Sequence, residues 1–138
     1  MQKKVIRGVA LLDMAVTLPF ALPFIAEIMI LIISELDRWL GFYTPSGQFD
    51  IGPLAMMFVH IMGVLGVIWA LARLHMVSLY LARMDAVARL AVAALIVSAI
   101  AQGATPVLWL FVLTEIGGSA AQFSVLRRKV ISPPAAHQ

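Results

Sequence analysis

Four long apolar segments, separated by short polar stretches, account for most of the chain. A helix of about 20 apolar residues spans a bilayer, so each segment is long enough to cross one. The pattern predicts an all-α integral membrane protein, a single-domain four-transmembrane-helix bundle over residues 1–130 with a disordered tail at 131–138. The predicted spans are about residues 5–33, 53–72, 80–102 and 106–126.

The first segment is longer than one crossing requires, and it contains Pro19 and Pro23. Each proline removes a backbone donor and crowds the carbonyl one turn back, so we expect a bent helix. The apolar run is too long for a signal peptide, and we expect the helix to be retained. Beyond it we predict a short interfacial helix over residues 34–40. We expect Glu27 at the outer edge, in contact with water or Arg38.

The two halves of the chain resemble each other. PLAMMFV at 53–59 aligns with PVLWLFV at 106–112, and Asp13 aligns with Asp85 in the preceding segments. Such a match is typical of two tandem helical hairpins in parallel orientation. Apolar sequences also match by chance, so both explanations remain open at this point.

The composition supports a membrane location. Of the 138 residues, 62% are hydrophobic and 12% are charged, and the mean hydropathy is +0.99. Soluble domains average about 45–50% apolar and 25% charged residues. The absence of cysteine excludes disulfides and thiolate metal sites. We expect the lipid bilayer as the main partner and no nucleic acid, because the basic residues suit topology and anionic lipid contact.

The distribution of Lys and Arg orients the predicted bundle. Short basic loops stay in the cytoplasm. With the segments threaded through a bilayer, Arg38 alone falls on the outer side. We therefore expect both termini in the cytoplasm, in a bacterial cytoplasmic membrane. The other nine basic residues fall at or near the inner side: Lys3, Lys4, Arg7, Arg73, Arg83, Arg89, Arg127, Arg128 and Lys129.

Three charged residues are predicted to form a buried ion-pair layer between the first and third segments. Asp85 and Arg89 have i, i+4 spacing and so share one helix face. Asp13 reaches the same level, about 9 Å inside the inner edge. The layer either clamps two helices together or takes part in a relay, in which only the aspartates exchange protons.

Another set of polar residues includes two that lie deeper, Glu115 and His60, at about 18–20 Å from the inner edge. Glu115, Ser119 and Gln122 form one stripe on the fourth segment, and His60 lies at a similar depth on the second. We expect Glu115 to bond His60, because a lone glutamate at this depth is too costly. The pair either fixes helix register or exchanges a proton near neutral pH. These four residues are the candidate ligand-binding or proton-linked residues.

The sequence carries no motif for catalysis. Its His, Asp and Glu residues lack metal-ligand spacing, and it has neither a phosphate-binding glycine loop nor a nucleophile elbow. We therefore predict that the protein is not an enzyme and uses no cofactor. Small residues, among them Gly63, Gly66 and Gly117, are expected to let helix backbones approach closely.

Two functional hypotheses follow. The first is an accessory or scaffold subunit, or a protein that binds a small apolar ligand such as a lipid or a quinone-like molecule. On this hypothesis the bundle associates through helix faces, as a homo-oligomer or with a partner membrane subunit. The alternative is a small proton-coupled transporter that acts as a homo-oligomer through Glu115 with His60 and Asp13 with Arg89.

Overall fold

The computed structural model describes the backbone of residues 2–131 and the side chains of residues 4–124, so most of the predicted tail lies outside it. Within this range the chain is all-helical and contains no strand. Single-turn 3₁₀ helices cover Ser46–Gln48 and Pro106–Leu108. The five α-helices are α1 (Gln2–Ala21), α2 (Ile25–Trp39), α3 (Pro53–His75), α4 (Leu79–Ala101) and α5 (Trp109–Ile131).

Three helical stretches are long and apolar enough to cross a membrane. They are α3, α4 and the stretch Pro106–Ser124, which contains the described part of α5. The number rises to four if α1 and α2 count as one broken span. The predicted all-α class with apolar spans is confirmed to this extent, and the second, third and fourth predicted segments each overlap one of these helices.

The bend predicted in the first segment, 5–33, is present, but it divides the segment into two separate helices. The helix is interrupted between Ala21 and Ile25, and the axes of α1 and α2 on either side differ by 104°. Pro19 and Pro23 weaken the helical hydrogen bonding on both sides of the break. Phe24 completes it with a φ of 68°, a value that non-glycine residues rarely adopt. The separate helix expected at 34–40 is absent, because α2 continues to Trp39.

The other helices start where the sequence favours a start. Pro53 is the first residue of α3, a position where its missing N–H costs nothing. Ser78 caps α4, its hydroxyl accepting a hydrogen bond from the Tyr80 N–H at 3.2 Å. Thr105 accepts one from the Val107 N–H at 3.1 Å and starts the last helical stretch. These caps leave only Met76, Val77 and Ser78 to connect α3 with α4.

The helices pair as two hairpins, with α1 packed along α3 and α4 along α5. Gly63 allows the first contact, because a Cβ at this position would lie only 2.4 Å from the Ala21 nitrogen. A Cβ on Gly66 would lie 2.7 Å from the Cγ2 methyl of Thr17. These two glycines of α3 therefore serve contacts within the chain. The aspartates of the sequence repeat, Asp13 and Asp85, fall one in each hairpin.

Polar groups fill much of the interior, and large apolar groups cover the outside. The buried apolar residues are mostly alanines, such as Ala10 and Ala86, which are fully buried. Arg73 and Gln122 are among the largest side chains that are fully buried. Large apolar side chains on every α-helix are exposed, for example Leu31 on α2 at 64%. This arrangement suits a lipid environment, where the outer surface meets hydrocarbon.

Candidate functional site

A cluster of charged side chains joins four helices on the side of the bundle where α3 ends and α4 begins, which we call the cluster end. It contains Asp13 of α1, Arg73 of α3, Asp85 and Arg89 of α4, and Glu115 of α5. We call these five residues the charged cluster. Because its members come from both hairpins, the cluster links the two halves of the molecule.

Asp85 lies at the centre of the charged cluster. Its Oδ2 accepts hydrogen bonds from Arg73 Nη1 at 2.6 Å, from Arg89 Nε at 2.9 Å and from Gln122 Nε2 at 2.6 Å. Its Oδ1 accepts a hydrogen bond from the indole N–H of Trp69 at 2.6 Å. Four donors from three helices thus hold one carboxylate, and bonds to an ionised acceptor are the strong ones.

Arg89 connects all three carboxylates. Its Nε binds Asp85, its Nη2 donates to Asp13, and its Nη1 donates to Glu115 Oε2 at 3.0 Å. Arg73 adds a second bridge, because its Nη2 also donates to Asp13. A planar guanidinium can hold several carboxylates at fixed angles in this way, which a lysine ammonium cannot.

The charged cluster is largely closed to solvent. The side chains of Arg73, Asp85 and Arg89 are 1%, 5% and 7% exposed, whereas those of Asp13 and Glu115 are 17% and 24% exposed. Buried charges are tolerated only when they are paired and hydrogen-bonded. The cluster meets this condition, and its most exposed members are carboxylates.

The structure brings the predicted layer of Asp13, Asp85 and Arg89 together and adds two residues that sequence reasoning missed. The sequence places Arg73 at the inner edge as a topology marker, yet its side chain is buried in the cluster. Trp69, one helical turn earlier on α3, faces the same carboxylate. A signal was available in the charge count, since two aspartates with one arginine leave a negative charge that a second cation would balance.

The predicted pairing of Glu115 with His60 does not form. Glu115 bonds Arg89 in the charged cluster, so the two expected layers meet through that guanidinium. His60 lies elsewhere: its Nδ1 is 3.0 Å from the carbonyl oxygen of Phe20, and its Nε2 is 4.0 Å from Glu27. Phe20 is near the end of α1, where carbonyls lack intrahelical donors, and the imidazole supplies one. Glu27 therefore faces His60 rather than Arg38.

The other two residues of the predicted stripe on α5 support the packing of α4. Ser119 donates to the Ala86 carbonyl oxygen at 2.8 Å, and both Ser119 and Gln122 are fully buried or nearly so. Gly118 lies beside them, where a Cβ would be 2.8 Å from Arg89 Nη1. A small residue at 118 therefore leaves the space that the guanidinium occupies.

A large cavity, open along part of its surface, lies directly against the charged cluster. Its volume is about 770 Å³, and residues of α1, α3, α4 and α5 line it. Apolar side chains form most of its wall, including Leu12, Phe20, Phe58, Met62 and Val92. All five members of the charged cluster and Trp69 line it as well. Such a site, apolar with a few convergent polar groups, is typical of small-molecule binding.

A different polar site fastens α2 to the start of the last helical stretch. Asp37 is fully buried and accepts hydrogen bonds from the Thr44 N–H at 2.8 Å and the Thr44 hydroxyl at 2.7 Å. The hydroxyl of Thr105 donates to the same carboxylate. We call these three residues the Asp37 latch. It lies at the opposite end of α5 from Gln122, and Asp37 does not line the cavity.

Comparisons of this chain with protein-family models, with curated proteins and with solved structures yield no match. Its function must therefore be inferred from the charged cluster and the cavity beside it.

Proposed function

We propose that this chain is a small, non-catalytic membrane protein that binds an apolar or amphipathic ligand in the cavity beside the charged cluster. The single observation that carries the proposal is the juxtaposition of about 770 Å³ of largely apolar space with five converging charged side chains. An apolar body fits the wall, and a polar head group fits the charged end. Lipids and quinone-like molecules are within this class by size.

The proposal includes four membrane crossings, with α1 and α2 as one broken span. α3 and α5 both run toward the charged cluster, so their first residues lie at the other side of the bundle. Thr105, at the start of the last helical stretch, binds Asp37 near the end of α2. This placement of Asp37 beside Thr105 supports a crossing made by α1 and α2 together.

Both termini are proposed to lie in the cytoplasm of a bacterium, because the basic residues flank the cluster end of the bundle. Reporter domains that function on only one side of the membrane, fused to each terminus, test this orientation. Activity of the periplasmic reporter at either terminus contradicts it.

Association with a second copy or a partner subunit is proposed to use a helix face outside the hairpin contacts. Gly117 on α5 is a candidate contact point, since a Cβ there meets nothing within 4 Å in the described residues. Gly117→Leu should then shift the detergent-extracted assembly to smaller mass. An unchanged mass contradicts association at this face.

Native mass spectrometry of the protein extracted in mild detergent tests the ligand proposal. We expect a bound small molecule on the wild-type protein and its loss in Ala88→Phe, which fills the cavity from α4. Val87→Phe is the matched control, because the exposed Val87 does not line the cavity. Identical spectra for the two variants, or a wild-type protein without any adduct after extraction in several detergents, contradict the proposal.

A second candidate function is proton-coupled transport by a homo-oligomer. One observation favours it: the charged cluster has three carboxylates and two arginines, so one proton on Glu115 would balance its charge. Reconstituted protein should then carry a substrate along a pH gradient, and Glu115→Gln should abolish the coupling. A substrate flux that does not depend on the pH gradient in the wild-type protein contradicts this function.

A further inference from the structure

The charged cluster makes its end of the cavity negatively charged. Two carboxylate oxygens, Asp13 Oδ1 and Glu115 Oε1, accept no hydrogen bond within the described residues. The guanidinium groups are already engaged, since three of the five N–H donors of Arg89 and two of those of Arg73 bind carboxylates. Arg73 Nε is enclosed by protein atoms, and the side chains of Arg73 and Arg89 are only 1% and 7% exposed, so their remaining N–H groups are largely covered. The polar atoms of the cluster that are most open to the cavity are therefore carboxylate oxygens.

The exposure of the cluster side chains also favours a negatively charged cavity surface. The carboxylates Glu115 and Asp13 are the most exposed members of the cluster, at 24% and 17%, while Arg73 lies behind them at 1%. Three carboxylates against two guanidinium groups leave one negative charge when all are ionised. In a low-dielectric site an unbalanced charge is costly, so a cation entering the cavity gains more than it would in water.

The remaining lining groups do not offset this sign. The Trp69 N–H already binds Asp85, and the hydroxyls of Thr17 and Thr114 bind backbone carbonyls. Phe20 and Phe58 lie farther along the wall and add apolar surface for the rest of a ligand. The two arginines that line the cavity are almost fully covered, so an anionic head would meet the more exposed carboxylates first.

We infer that the ligand of this cavity is an amphiphile with a positively charged amine, whose ammonium binds between Glu115 and Asp13 while its apolar part lies along the cavity wall. The inference rests on the proposed ligand-binding function and specifies the head group. An ammonium N–H donates to the free Glu115 and Asp13 oxygens and balances the charge of the cluster. A quinone-like head, which needs donors, and a carboxylate or phosphate head lack a counterpart here.

Three probes with the same alkyl length separate this inference from the function on which it rests. They are dodecylamine, dodecanol and dodecanoate, used at pH 8, where the amine is protonated and the carboxylate ionised. Trp69 reports binding by its fluorescence once Trp39 and Trp109, both exposed, are replaced by phenylalanine. The protein is studied in non-ionic detergent micelles, into which the probes also partition. Binding in the cavity is the part of the signal that Ala88→Phe removes and its control Val87→Phe retains.

We expect dodecylamine to bind about tenfold more tightly than dodecanol, the free energy of one modest charge pair, and dodecanoate to bind most weakly. Glu115→Gln should bring the amine to the affinity of the alcohol and leave dodecanol binding unchanged. The dodecanol signal also shows whether this variant keeps its fold.

Each other outcome overturns one of the two claims. If dodecanol or dodecanoate binds as tightly as dodecylamine, and Ala88→Phe removes that binding, the cationic ligand is wrong and the cavity function stands. If no probe gives saturable binding that Ala88→Phe removes, the ligand-binding function itself fails. The comparison of the three probes on the protein with native Glu115 decides the sign even where Glu115→Gln unfolds.

Discussion

The charged cluster and the Asp37 latch both depend on a buried aspartate, yet they differ in how that aspartate is satisfied. Asp37 accepts hydrogen bonds from neutral donors, two of them from Thr44, and it borders no part of the cavity. Asp85 binds two guanidinium groups and belongs to a set with spare acceptor oxygens beside the cavity. A carboxylate held by neutral donors at a helix junction fastens structure. Carboxylates in excess over their cations, beside a cavity, support the proposed binding site.

The largest effect should come from removing the hub of the charged cluster. Arg89→Gln leaves Asp13, Asp85 and Glu115 with one cation, and we expect a loss of about 3–5 kcal/mol in unfolding free energy. Thermal unfolding in detergent, followed by circular dichroism, measures it. Arg83→Gln, an exposed position on the same helix, should change stability by less than about 0.5 kcal/mol. Equal loss in both variants would show that the cluster does not hold the hairpins together.

The Asp37 latch should matter for stability but not for binding. Asp37→Ala leaves three donors of Thr44 and Thr105 without their acceptor, and we expect a loss of about 2–3 kcal/mol. The affinity for dodecylamine in the cavity should stay within about twofold, a difference well below 1 kcal/mol. Glu35→Ala serves as the control, because its side chain is 70% exposed. If Asp37→Ala abolishes dodecylamine binding, the Asp37 latch and the charged cluster do not have separate roles.

Two adjacent glycines test how tightly the charged cluster is packed. In Gly118→Ala the new methyl meets Arg89 Nη1 at 2.8 Å, whereas in Gly117→Ala it meets nothing within 4 Å. We expect Gly118→Ala to cost about 1–2 kcal/mol, because the guanidinium is tied to three carboxylates and cannot move freely. The 117 variant should be neutral or slightly stabilised as a helix interior alanine. The same thermal measurement on both proteins checks the difference.

The smallest effect is expected at the break between α1, which carries Asp13, and α2, which carries Asp37. Phe24→Gly removes the strain of a φ of 68° and should raise stability by about 1 kcal/mol. The ring is 82% exposed, so little packing is lost. Leu31→Gly, also exposed but inside α2, should lower stability by about 1 kcal/mol. A loss at both positions would mean that the Phe24 ring has a packing role that outweighs its backbone strain.

Sequence reasoning succeeded where one helix carries the whole signal. The i, i+4 spacing of Asp85 and Arg89 predicts a shared face, and the structure places both on it. Pro19 and Pro23 predict a bend, although neither indicates its angle of 104°. Apolar length predicts helices that can span a bilayer, because that property depends on residues adjacent in sequence.

It failed where the answer depends on the register between helices. Glu115 and His60 were assigned to one level by counting residues from basic ends, which assumes straight, parallel helices with a common inner edge. α1 instead ends at Ala21 beside Gly63, and its free carbonyl at Phe20 engages His60. Arg89, one turn beyond Asp85, is long enough to reach Glu115. Counting residues along a helix gives the depth of a Cα atom but not how far a long side chain extends from it.

The order in which the charged residues occur along the chain has a consequence for biosynthesis. Asp13 and Arg73 belong to the first hairpin and bind each other, so that hairpin is neutral at this site before the rest is synthesised. Asp85 and Arg89 lie one turn apart on the same helix. If the protein inserts into a bilayer as proposed, each of these charges would enter together with its countercharge. Glu115 arrives last and has no countercharge of its own within the cluster. Its charge alone must be met by a pair that is already formed, or by a cation from outside.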